Sequence, residues 1–145
     1  MKKLFITPAL LLSFLSTQAQ EKSSVTEKQI SETIMLYIDG TANGQPEKLK
    51  QAFHPDFNLY SVNNDESLRI WKGADYIGNI KTGEKTNRMG QIISIDYENN
   101  VATAKTEIVI PGWRIFTDYF LLVKYDGAWK IIHKSYTWKE YTEAE

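Results

Sequence analysis

Three pairs of turn residues divide the second half of the chain into long segments in which apolar and polar residues alternate. The pairs are Asn99-Asn100, Pro111-Gly112 and Asp126-Gly127. Asp-Gly between two such segments is typical of a two-residue β-hairpin, and Asn, Pro and Gly are common turn residues. The segments therefore predict a meander of antiparallel strands. Its strands are residues 92–97, 101–110, 113–125 and 128–139.

The first half of the chain begins with the strongest helical pattern. Apolar residues at three- and four-residue spacing predict a helix over residues 25–42, with a capping box at Ser24 or Thr26 as its start. The predicted buried stripe consists of Ile30, Ile34, Tyr37, Ile38 and Thr41.

Two shorter helices and two short strands follow. The helices are predicted over residues 46–52 and 73–83, and the strands over residues 56–62 and 68–72. The residues of the second helix region that would face the core are Leu49, Ala52 and Phe53. Helices followed by a long meander predict an α+β fold with helices on one face of an antiparallel sheet.

The first twenty residues have the pattern of a secretory signal peptide, with a positive start at Lys2-Lys3 and an apolar run over residues 4–15. The run is shorter than the about 20 apolar residues that span a bilayer, and no Cys follows it that could carry a lipid anchor. We expect cleavage of residues 1–20, a single domain over residues 21–145, and export to a periplasm or the extracellular space without membrane contact after cleavage. The alternative, a buried N-terminal helix, does not explain the paired lysines.

The composition excludes several functional classes. The chain has no Cys, which excludes disulfides, thiolate zinc sites and thiol nucleophiles. Its two His have no ligand spacing and no Gly-rich loop follows a strand, so we expect neither a metal nor a cofactor. Loss of the two Lys in residues 1–20 takes the formal charge from −1 to −3, which gives no basic face for nucleic acid.

Four segments, taken in order, resemble a known family. They are Tyr37-Ile38-Asp39-Gly40, Phe53-His54-Pro55-Asp56-Phe57, Thr117-Asp118-Tyr119-Phe120-Leu121-Leu122 and Gly127-Ala128-Trp129-Lys130-Ile131-Ile132. Their order and spacing resemble the NTF2-like superfamily, and within it the putative lumazine-binding family, with SnoaL-like and ketosteroid-isomerase-like relatives. The resemblance implies a curved antiparallel sheet wrapped on N-terminal helices, a cystatin-like roll with a conical pocket. Relatives use that pocket for isomerisation, dehydration, ligand binding or partner binding, so the fold does not select the function.

The hairpin turns predict a register for the last three strands. If Asp126-Gly127 and Pro111-Gly112 are both two-residue loops, side-chain alternation assigns every residue to a face. One face would hold Lys105, Glu107, Phe116, Asp118, Phe120, Trp129, His133 and Ser135. The opposite face would hold Ala104, Thr106, Ile108, Tyr119, Leu121, Val123, Ile132, Tyr136 and Trp138.

Asp118 and His133 would be diagonal neighbours in this register. A carboxylate beside an imidazole orients the ring and raises its pKa, as in a general acid–base pair, so these two are the candidate catalytic residues. Lys105, directly opposite Asp118, would compete for the carboxylate. The alternative is an ion pair between Lys105 and Asp118 on an exposed sheet face, with His133 uninvolved.

Aromatic and polar residues on several elements are candidates to line the cone. The candidate ligand-binding residues are Tyr37, His54, Tyr60, Trp71, Lys105, Phe116, Phe120 and Trp129. Tyr37 would need a hydrogen-bond partner if buried. Alternatively, Tyr37, Tyr60 and Trp71 are plain core residues, and His54 belongs to a His-Pro-Asp turn.

Three functions stay open at this point. The first is binding of a small, partly apolar molecule in an aromatic cone, which the four Trp and eight Tyr favour. The second is a proton-transfer enzyme of isomerase or dehydratase type, which requires Asp118 or His133 in the pocket with a shifted pKa. The third is a homodimer or partner-binding module that uses the exposed sheet face.

Overall fold

The computed structural model describes residues 9–142, with side chains from residue 24 onward. Over these residues the helices are α1 (Ala9–Ala42), α2 (Pro46–Ala52) and α3 (Gly73–Gly78). The strands are β1 (Phe53–Val62), β2 (Leu68–Lys72), β3 (Met89–Glu98), β4 (Val101–Ile110), β5 (Arg114–Tyr125) and β6 (Ala128–Glu140). They form one curved sheet in the order β2-β1-β6-β5-β4-β3, which confirms the predicted α+β class.

The predicted apolar stripe of α1 is buried against the sheet. Its residues are Ile30, Ile34, Tyr37, Ile38 and Thr41, none of them more than 4% exposed. The predicted start at Ser24 or Thr26 is wrong, because α1 already begins at Ala9. No Gly or Pro occurs between Ala9 and Asp39, so nothing in this stretch favours a helix end over continued helix.

The predicted signal peptide lies largely outside the described structure, since residues 1–8 are not described and residues 9–20 are described only in their backbone. Cleavage and export therefore stay predictions. In the described part of the chain, no helix is both long and apolar enough to cross a membrane.

The two short helices differ in how well they match the sequence pattern. α2 has the predicted bounds, and Leu49, Ala52 and the following Phe53 are buried as expected. α3 ends at Gly78 rather than at residue 83. The Asn79 side-chain amide donates to the Asp75 carbonyl oxygen at 2.7 Å, which caps the helix at that point.

One strand pair departs from the antiparallel pattern. β1 lies parallel to β6, whereas the four other adjacent pairs among the described strands are antiparallel. The chain between these two strands includes β2, α3 and the first part of the meander, and this long connection permits the parallel arrangement. The sheet is therefore mixed rather than purely antiparallel.

The turn between β4 and β5 has three residues instead of the predicted two. Ile110 pairs with Arg114, and the Trp113 N–H donates to the Ile110 carbonyl oxygen at 3.0 Å. Two-residue hairpin loops need a positive φ at their first residue, which Pro111 cannot adopt because its ring holds φ near −65°. The positive φ of 74° falls instead on Gly112.

This extra residue moves the β4–β5 register by one position. The predicted pairs Lys105–Asp118 and Glu107–Phe116 are therefore wrong. Asp118 lies opposite Thr106, and Phe116 lies opposite Ile108.

The turn between β5 and β6 is the predicted two-residue hairpin. Asp126 and Gly127 have φ values of 49° and 78°, as a type I′ turn requires. Tyr125 pairs with Ala128 as predicted, and the predicted register continues as far as Leu122 and Ile131.

A β-bulge at Ile132 then shifts the register. Leu121 pairs with His133, so Ile132 is the extra residue on β6. The predicted pairs Phe120–His133 and Asp118–Ser135 are wrong, since Phe120 lies opposite Lys134 and Asp118 opposite Tyr136. Beyond the bulge, residues that a regular strand would turn outward therefore point inward.

Candidate functional site

A cavity of about 820 Å³ opens between the inner face of the sheet, β2 and α3. The inner face of the sheet is the face that is turned toward α1 and holds Asp118. The outer face is the face that holds His133. Aromatic rings form much of the cavity wall. They belong to Trp71, Tyr76, Trp113, Phe116, Tyr136 and Trp138.

Three polar side chains form a hydrogen-bonded cluster at the base of this cavity. The Tyr37 hydroxyl donates to Oδ2 of Asp118 at 2.6 Å. Nζ of Lys134 lies 2.9 Å from the same oxygen and donates to the Tyr37 hydroxyl at 2.6 Å. The side chains of Lys134 and Asp118 are only 6% and 1% exposed, so the ion pair is shielded from water. We refer to Tyr37, Asp118 and Lys134 as the polar cluster.

The local structure explains how these residues meet. Tyr37 belongs to the buried stripe of α1, Asp118 points inward from the middle of β5, and the bulge at Ile132 turns Lys134 inward on β6. The Lys134 ammonium also lies 4.6 Å from the Tyr37 ring centroid and 5.2 Å from that of Tyr136, within the range of cation–π attraction.

The pKa of the Tyr37 phenol is raised well above its ordinary value of 10.0. Burial is the largest cause, and the negative charge of Asp118 is the second. The phenol is therefore protonated across the neutral range and acts as a hydrogen-bond donor there. The positive charge of the Arg88 guanidinium, which also lines the cavity, acts in the opposite direction and lowers the pKa of Tyr37.

Two buried oxygens beside the polar cluster have no hydrogen-bond partner among the described groups. They are Oδ1 of Asp118 and Oγ1 of Thr106, which lie opposite each other on β5 and β4. An unsatisfied buried polar atom costs about 1–3 kcal/mol. Asp118 also lines the cavity.

The structure brings part of the predicted site together. Tyr37, Trp71, Phe116 and Asp118 line the cavity. Two further candidates lie in the core and not in the cavity wall: the Phe120 ring packs 5.3 Å from the Tyr37 ring, and Trp129 is 3% exposed.

The remaining candidates lie away from the cavity. On the outer face, His133 contacts Ser135 at 2.8 Å and stacks on the Tyr60 ring at 4.5 Å. Lys105 lies 5.5 Å over the Tyr119 ring on that face. His54 accepts a hydrogen bond from the Asp56 N–H at 3.2 Å. It therefore has a structural role in the His-Pro-Asp turn, which was the alternative to ligand binding.

The predicted Asp118–His133 pair is therefore wrong, because the bulge at Ile132 places the two side chains on opposite faces. The predicted alternative, an exposed ion pair between Lys105 and Asp118, is wrong as well. Asp118 is fully buried, and its counter-charge is Lys134.

Several cavity residues were not predicted from the sequence. The principal ones are Lys134, Arg88, Arg114, Tyr136 and Trp138. The sequence does contain a signal for the shift in the β4–β5 register, because the ring of Pro111 prevents the positive φ that a two-residue loop needs. For Lys134 the sequence carries a misleading signal, since a Lys in an alternating strand indicates a solvent-facing position. Among the side chains of residues 24–142, no group of three or more His, Asp or Glu is arranged to hold a metal ion.

The chain matches the model of a protein family described as "Putative lumazine-binding" over residues 25–137. This match covers the polar cluster and most of the cavity wall. It begins within α1 and ends near the end of β6.

Individual relatives are similar in sequence or in fold. The chain is 28% identical over 109 residues to "Aldolase FrzH" from a Cladobotryum species, which covers 70% of this chain and 82% of that protein. An NTF2-like protein of unknown function from Shewanella baltica has a TM-score of 0.72 at 22% identity, covering 81% of this chain and 97% of that one. Another, from Methylobacillus flagellatus, has a TM-score of 0.69 at 27% identity, covering 79% and 92%.

Proposed function

The chain belongs to the putative lumazine-binding family of NTF2-like domains, and we propose that it binds a small, partly apolar, ring-containing molecule in its cavity. The observation that carries this proposal is an aromatic wall above a buried polar cluster. A volume of about 820 Å³ lies within the range of about 300–1,000 Å³ that is usual for small-molecule sites.

The aromatic wall supplies the apolar part of recognition. Trp71 packs edge-on against Tyr76 at 5.4 Å, and Phe116 lies between Trp113 and Tyr136. A flat ring that stacks on such a surface gains about 0.5–1.5 kcal/mol per aromatic contact beyond simple area burial.

The polar cluster supplies orientation. Oδ1 of Asp118 accepts a hydrogen bond from an N–H or O–H group of the ligand, which satisfies an oxygen that has no other partner among the described groups. Lys134 and Tyr37 hold that carboxylate in place through Oδ2. The preferred ligand therefore has a ring system with a donor group at one end.

Fluorescence titration with N-phenyl-naphthylamine tests this proposal, since the dye combines a secondary amine donor with two aromatic units and brightens in apolar surroundings. We expect saturable binding that weakens by about tenfold in Trp71→Ala or Asp118→Asn, because each loses a contact of about 1.4 kcal/mol. Tyr60→Leu on the outer face is the matched control and should bind as the wild type does. Equal affinity in all four proteins, or no saturable binding, would overturn the proposal.

A second candidate function, proton transfer next to a carbonyl group, is favoured by the composition of the polar cluster. Oδ1 of Asp118 can accept a proton, and the Lys134 ammonium can donate hydrogen bonds to an enolate oxygen. The similarity to a protein named as an aldolase supports this candidate. In the retro-aldol direction, the carboxylate takes the hydroxyl proton, and the carbon–carbon bond breaks to give an aldehyde and an enolate. The carboxylic acid then returns the proton to the enolate carbon, which gives the ketone and restores the carboxylate.

A naphthyl β-hydroxyketone that releases a fluorescent naphthaldehyde tests this second candidate. Turnover should be lost in Asp118→Asn and kept in His133→Gln, which changes an outer-face side chain. Turnover that survives Asp118→Asn, or that is absent from the wild type, would contradict it.

Two predictions about the whole protein also need experiments. We propose export directed by residues 1–20, supported by the Lys2-Lys3 start and the apolar run that follows it. Mass measurement on material from the periplasm or medium should show loss of this leader. The homodimer through the outer face stays a prediction that analytical ultracentrifugation can test.

A further inference from the structure

Three arginines line the cavity, and two of them, Arg88 and Arg114, are part-buried and have no acidic partner among the residues that the structure describes. Neither guanidinium forms an ion pair with a carboxylate of the described residues. In each of them, Nε is buried and has no hydrogen-bond acceptor among the described groups. Arginine is permanently charged, so both positions present fixed positive charge to the cavity.

Arg114 is held in place by aromatic stacking. Its guanidinium carbon lies 3.5 Å from the Trp138 ring centroid and 4.7 Å from that of Trp113. Stacking uses the face of the planar group and leaves the N–H donors on its edge for an acceptor.

Arg88 lies just before β3 and lines the same cavity as Tyr37. The two arginines reach the cavity from different parts of the chain, one ahead of β3 and one at the start of β5. Both line the same cavity as the polar cluster.

The cavity wall holds four basic side chains, Arg69, Arg88, Arg114 and Lys134, and two acidic ones, Asp65 and Asp118. Asp118 is paired with Lys134. Asp65 at the rim accepts two hydrogen bonds from Ser67, and these lower its pKa. The cavity therefore carries an excess of positive charge beside its aromatic rings, although the chain as a whole has a formal charge of −1.

We propose that the ligand is an aromatic acid, with a carboxylate or sulfonate group that Arg88 and Arg114 bind. This inference rests on the proposed ligand-binding function and adds the charge of the ligand to it. The anion accepts hydrogen bonds from N–H donors on the edges of the two guanidinium groups, and the aromatic body stacks on the neighbouring rings. An Arg–anion hydrogen bond in a water-shielded site is stronger than a neutral one.

A matched pair of dyes tests the inference. Anilinonaphthalene sulfonate is N-phenyl-naphthylamine with one added sulfonate, so the ratio of the two affinities reports on the anionic group. We expect the wild type to bind the sulfonate about tenfold more tightly or better, as charge-assisted hydrogen bonds imply. The ratio should fall toward one in Arg88→Gln and in Arg114→Gln. It should be unchanged in Lys105→Gln, a matched loss of a ring-stacked cation on the outer face.

The outcomes separate the two proposals. Tight binding of the neutral dye with no preference for the sulfonate would overturn the aromatic-acid inference and leave ligand binding intact. A preference that persists in both arginine variants would also overturn it, because the sulfonate would then bind elsewhere. Saturable binding of neither dye would overturn both. Because the ratio compares two dyes on one protein, a general loss of folded protein in a variant does not change it.

Discussion

Nζ of Lys134 lies 2.9 Å from Oδ2 of Asp118, in a position almost closed to solvent. The two residues lie on neighbouring strands, and Lys134 points inward because Ile132 is inserted ahead of it as a β-bulge. The bulge thus places the Lys134 ammonium, and not the His133 imidazole, beside the carboxylate. The hydroxyl of Tyr37 completes the cluster.

Breaking this ion pair should destabilise the fold. Lys134→Met leaves the Asp118 carboxylate buried without its counter-charge, which we expect to lower the free energy of unfolding by about 3–5 kcal/mol. The double variant Asp118→Asn/Lys134→Met should recover part of the loss, because it leaves no buried unpaired charge. Urea unfolding followed by Trp fluorescence measures both effects. Strictly additive losses would show that the two side chains do not interact.

The Tyr37 phenol should make stability depend on alkaline pH. Its pKa is raised in the folded protein, so its contribution is fully present below the ordinary value of 10.0 and is lost as the pH rises beyond that value. The melting temperature of the wild type should therefore fall more steeply above about pH 10 than that of Tyr37→Phe, which has no group to ionise there. Parallel curves for the two proteins would contradict the burial of this hydroxyl.

Chemical accessibility should distinguish Lys134 from neighbouring lysines. Sulfo-NHS-acetate under native conditions should acetylate Lys139 and Lys124, which are exposed, and leave Lys134 unmodified. In urea all three should react at similar rates. Peptide mass spectrometry reads each site, and native acetylation of Lys134 at the rate of Lys139 would place its side chain on the outer face.

Gly90 should be intolerant of a side chain. A Cβ at this position would meet Cδ1 of Ile108 and Cγ2 of Ile38, each at 2.7 Å, where α1 packs on β3. Gly90→Ala is expected to cost about 1–3 kcal/mol by overpacking. Gly78→Ala is the control, since a Cβ there has no atom within 4 Å, and it should be neutral or stabilising by up to about 1 kcal/mol. Equal melting temperatures for the two variants would contradict the close packing of α1 on β3.

Regular periodicity explains which parts of the fold were predictable. The stripe of α1 repeats with the helical period, and each of its members is buried. The pair Asp126-Gly127 favours only a few turn geometries, and the β5–β6 hairpin has the predicted two-residue loop. The predicted bounds of α2, β2 and β4 also agree with the structure, because the sequence patterns of these elements are regular as well.

The candidate site was less predictable because single-residue register shifts change every face assignment beyond them. The shift at Pro111 has a signal in the sequence, since proline cannot take the positive φ that a two-residue loop requires. The register shift at Ile132 has no signal in the alternation of apolar and polar residues. Ile131 and Ile132 are both apolar, and the inward residue after them is Lys134, which the pattern assigns to solvent. The polar cluster thus depends on a bulge that only the tertiary structure discloses.

The central claim is that the polar cluster forms the base of a ligand site, and a crystal structure with bound N-phenyl-naphthylamine tests it most directly. We predict electron density for the rings against Trp71 and Tyr136, with the amine within hydrogen-bond distance of Oδ1 of Asp118 and with Lys134 still paired to Oδ2. Density for the dye only on the outer face, or a Lys134 side chain that points to solvent beside an inward His133, would contradict the account.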